Sequence, residues 1–285
     1  MSAKKQRGSA WSIHLALNLY KFLGYNFLYY FMYPVTFFYF LMAKNAKEGL
    51  RVYYAHLGTP FTSKIYFEHL RIFAVCMVDR FIAKIEPQNY HFEYDKTLPK
   101  EILNSGTVLI YSHFGGWSAS ANNTIIKNKI NIVMQEAMLK GIQEIEKKMQ
   151  IKSNLNIIDL DQGTISVSVQ IANALMNEEI VAMMADRPAN AKAQLALEFL
   201  GEEAYFNKNP FQIAYKTSKP ILVYFIVWQG RKHYKVEYIL IEMDKTKNEN
   251  DAIIEAMKRY VAQLEKMVKL YPQQWFNLYN FWEKK

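Results

Sequence analysis

Ser112 closes a short apolar run, residues 107–112 (TVLIYS), and His113, Phe114, Gly115, Gly116 and Trp117 follow it. An imidazole can take and return a proton near neutral pH, so a histidine just past a buried strand is placed for acid–base chemistry. Gly115 and Gly116 let backbone approach a ligand closely. The helix expected after them would offer free N–H groups to an oxyanion or phosphate. Both glycines are therefore candidate substrate-binding residues. No carboxylate lies beside His113 in sequence, so an acidic partner must come from elsewhere. The other histidines are less suggestive. His14 is near an apolar N-terminal stretch, His56 and His69 fall in helical patterns, His91 lies in a polar connection and His233 in a hairpin turn.

The elements around His113 explain where such a partner could stand. Residues 130–134 (INIVM), 156–159 (NIID) and 180–185 (IVAMMA) are further short apolar runs, each preceded by polar or turn residues, as buried strands are. Helical patterns over 119–127, 139–150 and 165–177 separate them. Strands alternating with helices predict an α/β fold with a mainly parallel sheet flanked by helices. Residues 220–228 and 234–241 predict an added hairpin. Helices are expected over 63–84 and 250–270, each with an apolar face. In open α/β sheets ligands gather at the carboxyl ends of strands. Gln135 and Glu136, Asp159 and Asp161, and Asp186 and Arg187 fall at such ends. A histidine, several carboxylates and an arginine thus converge on one sheet edge, although Asp186 and Arg187 could equally form a local ion pair or cap.

The chain has 285 residues, 51% of them hydrophobic and 15% aromatic, which is ample for a large core. The net charge of +9 admits nucleic acid, an anionic membrane face or an acidic partner. The cations are interspersed with acids rather than gathered in a stripe, which argues against nucleic acid. Cys76 is the only cysteine, so no internal disulfide forms, and no His/Asp/Glu cluster has metal-ligand spacing. Residues 22–42 carry no charge but hold Gly24, Asn26, Pro34 and five tyrosines. About 20 apolar residues span a bilayer core, yet tyrosine favours the headgroup region and Pro34 would kink a helix. A helix embedded in one leaflet, a true span and a buried core helix all remain open. The chain divides into a membrane-associated helical segment, 1–45, and a single α/β domain, 46–285. Oligomeric state is not legible.

Several motifs resemble the lysophospholipid acyltransferase superfamily, and within it the bacterial lipid A late acyltransferase-like branch. That family carries His-x4-Asp/Glu in the setting Ser-His-(Phe/Leu)-Gly-Asn-(Trp/Leu)-Glu. This chain reads Ser112-His113-Phe114-Gly115-Gly116-Trp117-Ser118. "RGSA" at 7–10, "VDR" at 78–80, "ADR" at 185–187, the block from "EFLGEEAYFNKNP" into a Pro-led strand, and "QWFNLYNFW" at 274–282 match further family signatures in order. The resemblance implies an acyltransferase at the cytoplasmic face of the inner membrane. It would move a fatty acyl chain from acyl carrier protein, or coenzyme A, to a hydroxyl of a lipid A, glycolipid or related lipid acceptor. It implies His113 as general base. Ser118 stands where the motif acid belongs. A serine can hold an imidazole tautomer but cannot offset its positive charge, so either Glu136 or Asp186 substitutes or the chain is an impaired, lipid-binding relative. The resemblance also places Arg187, Phe206 and Asn209 among candidate substrate-binding residues, Arg187 toward an acidic headgroup or the pantetheine phosphate. Asn207 and Asn209 replace the family's Pro and Gly. A left-handed turn at Asn209 is one expectation from that exchange, because Asn tolerates that region. Gln274, Trp275 and Trp282 read as packing residues, and Lys208, Lys216 and Lys219 as a solvated face or a dock for an acidic carrier.

Overall fold

The computed structural model describes residues 10–94, 100–119, 128–135, 154–188 and 190–283. The helices expected over 119–127 and 139–150 lie outside the described residues beyond Ala119, as does Glu136. Three helices lead the chain: α1 (Ala10–Met42), α2 (Lys44–His56) and α3 (Ser63–Ile85). Strands β1 (His91–Tyr94), β2 (Val108–Tyr111), β3 (Ile130–Met134) and β4 (Leu155–Asp159) precede helix α4 (Thr164–Met176) and strand β5 (Ile180–Met184). Then come β6 (Gln194–Phe199), β7 (Glu202–Asn207), α5 (Asn209–Thr217), β8 (Ile221–Gly230), β9 (His233–Ile241) and α6 (Glu249–Leu270).

The main sheet runs β1-β9-β8-β2-β5-β3-β4, and only the β8–β9 pairing is antiparallel. The central strands β2 (VLIY) and β5 (IVAMM) are apolar along their length because both faces are covered. Helix α6 lays Ile253, Met257, Tyr260, Val261, Leu264 and Val268 into the core. The Asn248 side chain caps it by accepting from the Asp251 N–H at 3.0 Å. Helix α3 starts the same way, with Thr62 accepting from the Ile65 N–H.

Three elements differ from the sequence reading. His91 is not in a polar connection: it opens the edge strand β1, which pairs parallel to β9 from His233 onward. Residues 194–207 are a two-stranded hairpin, β6–β7, turning at Leu200 and Gly201 with φ of 53° and 83°. In the uncharged N-terminal stretch the chain breaks at Gly24 (φ 76°, ψ 177°), while Pro34 lies inside the helix. No described helix is long and apolar enough to cross a membrane. The tyrosines, Asn26 and Pro34 dilute the apolar content of α1, and the break divides its length. One stripe of α1, Leu28, Met32 and Thr36, is buried at i, i+4 spacing against the rest of the fold. Arg231, in the β8–β9 turn, clamps it by donating to Asn26 Oδ1 at 3.1 Å and stacking on Tyr29 and Tyr30.

Candidate active site

The register of the central sheet brings His113 and Asp186 together. Strands β2 and β5 run parallel with Tyr111 opposite Met184, so the positions two residues on, His113 and Asp186, leave the sheet side by side. The Ala185 N–H donates to the Tyr111 carbonyl at 3.2 Å, carrying the pairing one step past the strands. His113 Nδ1 lies 3.0 Å from Asp186 Oδ1 and 3.1 Å from Oδ2, and the His113 backbone N–H donates to Oδ2 at 2.9 Å. Asp186 is fully buried, and the His113 side chain is 19% exposed. Burial alone would raise the Asp186 pKa. The facing His113, the Arg187 charge and the backbone N–H outweigh it and hold the carboxyl below its ordinary range. Burial lowers the His113 pKa, Asp186 works against that, and Arg187 adds to it, for a net shift below the ordinary value. An ionised Asp186 can only accept, so the His113 Nδ1 carries its proton and Nε2 is the basic nitrogen. The pair can therefore take a proton at Nε2 while the carboxylate stabilises the imidazolium that forms.

The motif loop is fastened from behind. The Gly115 N–H donates to the Gln274 carbonyl at 2.8 Å, the Gly116 N–H to the Ile226 carbonyl at 2.8 Å, and the Phe276 N–H to the His113 carbonyl at 2.7 Å. Both glycines are explained by this packing. A Cβ on Gly115 (φ 52°) would meet the Ile226 oxygen at 1.9 Å, and one on Gly116 would meet the Tyr234 ring at 2.3 Å. Their close approach is to the protein's own backbone and to Tyr234, and their N–H groups are spent internally rather than free for a ligand. Ser112 is held by Tyr260 of α6, hydroxyl to hydroxyl at 2.8 Å.

The sequence model for bacterial lipid A biosynthesis acyltransferases matches residues 76–284. The chain belongs to that family. A search of the curated proteins finds no match.

In this acyltransferase the side chain at Nδ1 is Asp186, not Ser118. Ser118 is partly buried and lines a cleft together with His113, Trp117 and Arg187. Strand β3 lies beyond β5, one strand further from β2 than Asp186 is, so its carboxyl end is more remote from His113. Gln135 donates to Asp161 at 3.3 Å, away from the pair. Arg187 is anchored by the C-terminal segment: its Nη2 donates to the Phe276 carbonyl at 2.9 Å, its Nε to Asn277 Oδ1, and its guanidinium stacks on Tyr279.

Phe206 is fully buried in a ring cluster with Phe199, Tyr260 and Phe281, so it is a core residue without access to substrate. Asn207 ties β7 to the end of β5, its backbone N–H reaching the Ala185 carbonyl and its amide the Met184 carbonyl. Asn209 lines the cleft as the first residue of α5 and is not in the left-handed region. The helix start replaces the expected glycine-like turn, with Asn207 Oδ1 accepting from the Asn209 N–H. Gln274 and Trp275 do more than pack a last helix. The Gln274 amide pairs with both backbone groups of Trp228, and Trp275 Nε1 lies 3.4 Å from Asp186 Oδ2. Trp282 does pack, stacking on His56. Asn277, which sequence reasoning passed over, joins Asp186 and Arg187 through its amide. The "QWFN" match was its only sequence signal. Among the described residues no three His, Cys, Asp or Glu side chains could share a metal ion.

Proposed function

We propose that this acyltransferase is a membrane-associated O-acyltransferase that moves a fatty acyl chain from acyl carrier protein, or coenzyme A, to a hydroxyl of a lipid A, glycolipid or related lipid acceptor. The observation that carries the reading is the His113–Asp186 pair at the wall of a cleft. His113 Nε2 takes the proton of the acceptor hydroxyl as its oxygen attacks the thioester carbonyl carbon. The tetrahedral intermediate then collapses, the C–S bond breaks, and the imidazolium returns the proton to the leaving thiolate. The attacking alcohol belongs to the substrate, so no acyl-enzyme forms.

The cleft suits both partners. Leu109, Ile130, Ile132, Met134, Ala182 and Leu222 offer apolar wall for an acyl chain. Among the described residues that line it are Arg80, Lys84, Arg187, Lys192 and Lys216 beside the carboxylate of Asp161, a set that suits an anionic headgroup or pantetheine phosphate. On α1, Phe22, Phe27, Phe37, Phe38, Leu41 and Met42 are exposed, and Lys21, Lys44, Lys47 and Arg51 flank them. An apolar stripe edged by cations supports a helix lying in one leaflet of an anionic membrane rather than crossing it, and a donor carried by acyl carrier protein or coenzyme A would put it at the cytoplasmic face. The alternative, a non-catalytic lipid binder, was motivated by Ser118. A carboxylate already at Nδ1 weighs against it.

The test uses acyl carrier protein charged with a labelled fatty acid and a lipid A precursor in mixed micelles. Wild-type protein is expected to transfer label, and His113→Ala to lose transfer. Transfer that survives in His113→Ala would sink the mechanism.

A further inference from the structure

We propose that Asn277 is a positioning residue for the His113–Asp186 pair, holding Asp186 and Arg187 each in place and apart from one another; this rests on the reading of His113 as general base. Asn277 is 2% exposed. Its Nδ2 donates to Asp186 Oδ2 at 3.3 Å, and its Oδ1 accepts from Arg187 Nε. The neighbouring Phe276 fixes the same two partners through backbone, its carbonyl taking Arg187 Nη2 and its N–H reaching the His113 carbonyl. One amide thus donates to the anion and accepts from the cation. Aspartate of the same shape could hold Arg187 but would repel Asp186, and alanine could hold neither.

The consequence is electrostatic. Asp186 and Arg187 are adjacent in sequence and opposite in charge. With its Nε on Asn277 and its Nη2 on Phe276, the guanidinium is kept on the C-terminal segment. Released, it can swing onto Asp186 and draw the carboxylate's field away from the imidazole. Asn277→Ala should therefore weaken the support Asp186 gives to a charged His113, and Asn277→Asp should add negative charge beside the pair. The two variants push the His113 protonation equilibrium in opposite directions, which a packing defect would not do.

The experiment measures kcat, KM and the pH profile of transfer from charged acyl carrier protein to a lipid A precursor, with His113→Ala as reference. Asn277→Ala is expected to lower kcat by about tenfold, the scale of one lost hydrogen bond to a charged group, read apart from KM, which Arg187 also alters by moving in the cleft. Its acid limb should move to lower pH and that of Asn277→Asp to higher pH. Equal kcat in all three proteins overturns the proposal, as do acid limbs that stay put or move the same way. If Asn277→Ala does not fold, the isosteric Asn277→Asp carries the same test through its upward shift. Transfer surviving in His113→Ala would overturn the general-base reading and this proposal with it; loss in His113→Ala beside unaltered Asn277 variants overturns this one alone.

Discussion

Replacing Asp186 by asparagine is the sharpest perturbation of the proposed mechanism, because the shape is kept and only charge and hydrogen-bonding sense change. Oδ2 of Asp186 faces three donors: the His113 backbone N–H at 2.9 Å, Asn277 Nδ2 at 3.3 Å and Trp275 Nε1 at 3.4 Å. Oδ1 faces His113 Nδ1 at 3.0 Å. An amide has one acceptor oxygen. With that oxygen toward the three donors, its NH2 stands 3.0 Å from Nδ1 and repels an N–H there, which favours Nδ1 as an acceptor although the oxygen is itself 3.1 Å away. The imidazole proton moves to Nε2, and the base is closed to the substrate. With the amide turned over, the NH2 faces three buried donors with nothing to accept from them, which is the more costly arrangement. The first orientation wins, and it favours the wrong tautomer.

The magnitude follows from two independent routes. A carboxylate and an imidazolium whose charge centres lie about 4 Å apart, at an effective dielectric near 20, attract by about 4 kcal/mol. At 1.36 kcal/mol per decade that is about 10³ in rate. The same exchange in the serine-protease triad costs about 10⁴, wrong tautomer included. A loss of 10³–10⁴ in kcat is therefore expected, read as initial rates of label transfer in mixed micelles. The residual activity should show its acid limb at lower pH than wild type, since Asp186 is the group that raises the His113 pKa. Stability gives a second reading. The folded carboxyl of Asp186 titrates below its ordinary value, so it contributes stability above the unfolded pKa of about 3.9 and loses it as pH falls toward the folded one. The melting-temperature difference between wild type and variant should then shrink as pH is lowered below about 4. Retention of kcat within about tenfold, with the acid limb unmoved, would refute the assignment of Asp186 as the partner of the base.

Three further outcomes are expected. Ser118→Glu should not raise kcat/KM, because the Nδ1 side of His113 is already taken by Asp186; a gain of about tenfold, worth about 1.4 kcal/mol, would show that the imidazolium lacks stabilisation. Gly116→Ala drives a Cβ to within 2.3 Å of the Tyr234 ring, which is fully buried and fixed by its hydroxyl on Asp79. The overpacking should cost about 1–3 kcal/mol, seen as a fall in melting temperature of about 2–4 °C per kcal/mol, with transfer reduced alongside; an unchanged melt and rate would refute the packing role. Charged residues on the exposed stripe of α1, as in Phe37→Asp with Phe38→Asp, should abolish flotation with anionic vesicles while leaving the melting temperature near that of wild type. Undiminished flotation would show that α1 does not hold the protein on the membrane.

The legible parts of the fold are those whose signal is local. β2, β3 and β5 are short apolar runs because their environment is apolar, and α6 shows one apolar stripe because one face is buried. β1 (HFEY) was missed because its alternation, polar to aromatic, runs for only four residues. The β6–β7 hairpin was missed because its turn carries Leu200 at positive φ, where Asn-Gly is the usual signal. At the site, Glu136 and Asp186 stood equally at strand ends in the sequence. Sheet order separates β3 from β2 by β5, and order is a tertiary property that no local pattern encodes. Asn277 was invisible for the same reason. Its partners Asp186 and Arg187 lie far from it along the chain, and nothing in "QWFNLYNFW" says which strand end that segment meets.

The same sheet order accounts for a chain that keeps the histidine of the motif it resembles without the acid five residues on. A partner supplied at Ser118 would depend on the loop and on the chain that follows it. A partner supplied at Asp186 depends on the β2–β5 register, with Tyr111 opposite Met184, and on the C-terminal segment that receives Arg187. Both are fixed by buried backbone pairing. The requirement at Nδ1 is for a buried, ionised acceptor at about 3 Å, and the neighbouring parallel strand meets it two residues past its end. What the motif histidine needs is then a position in the sheet rather than a residue type at Ser118, which is why the D186N and S118E outcomes should diverge so widely in rate.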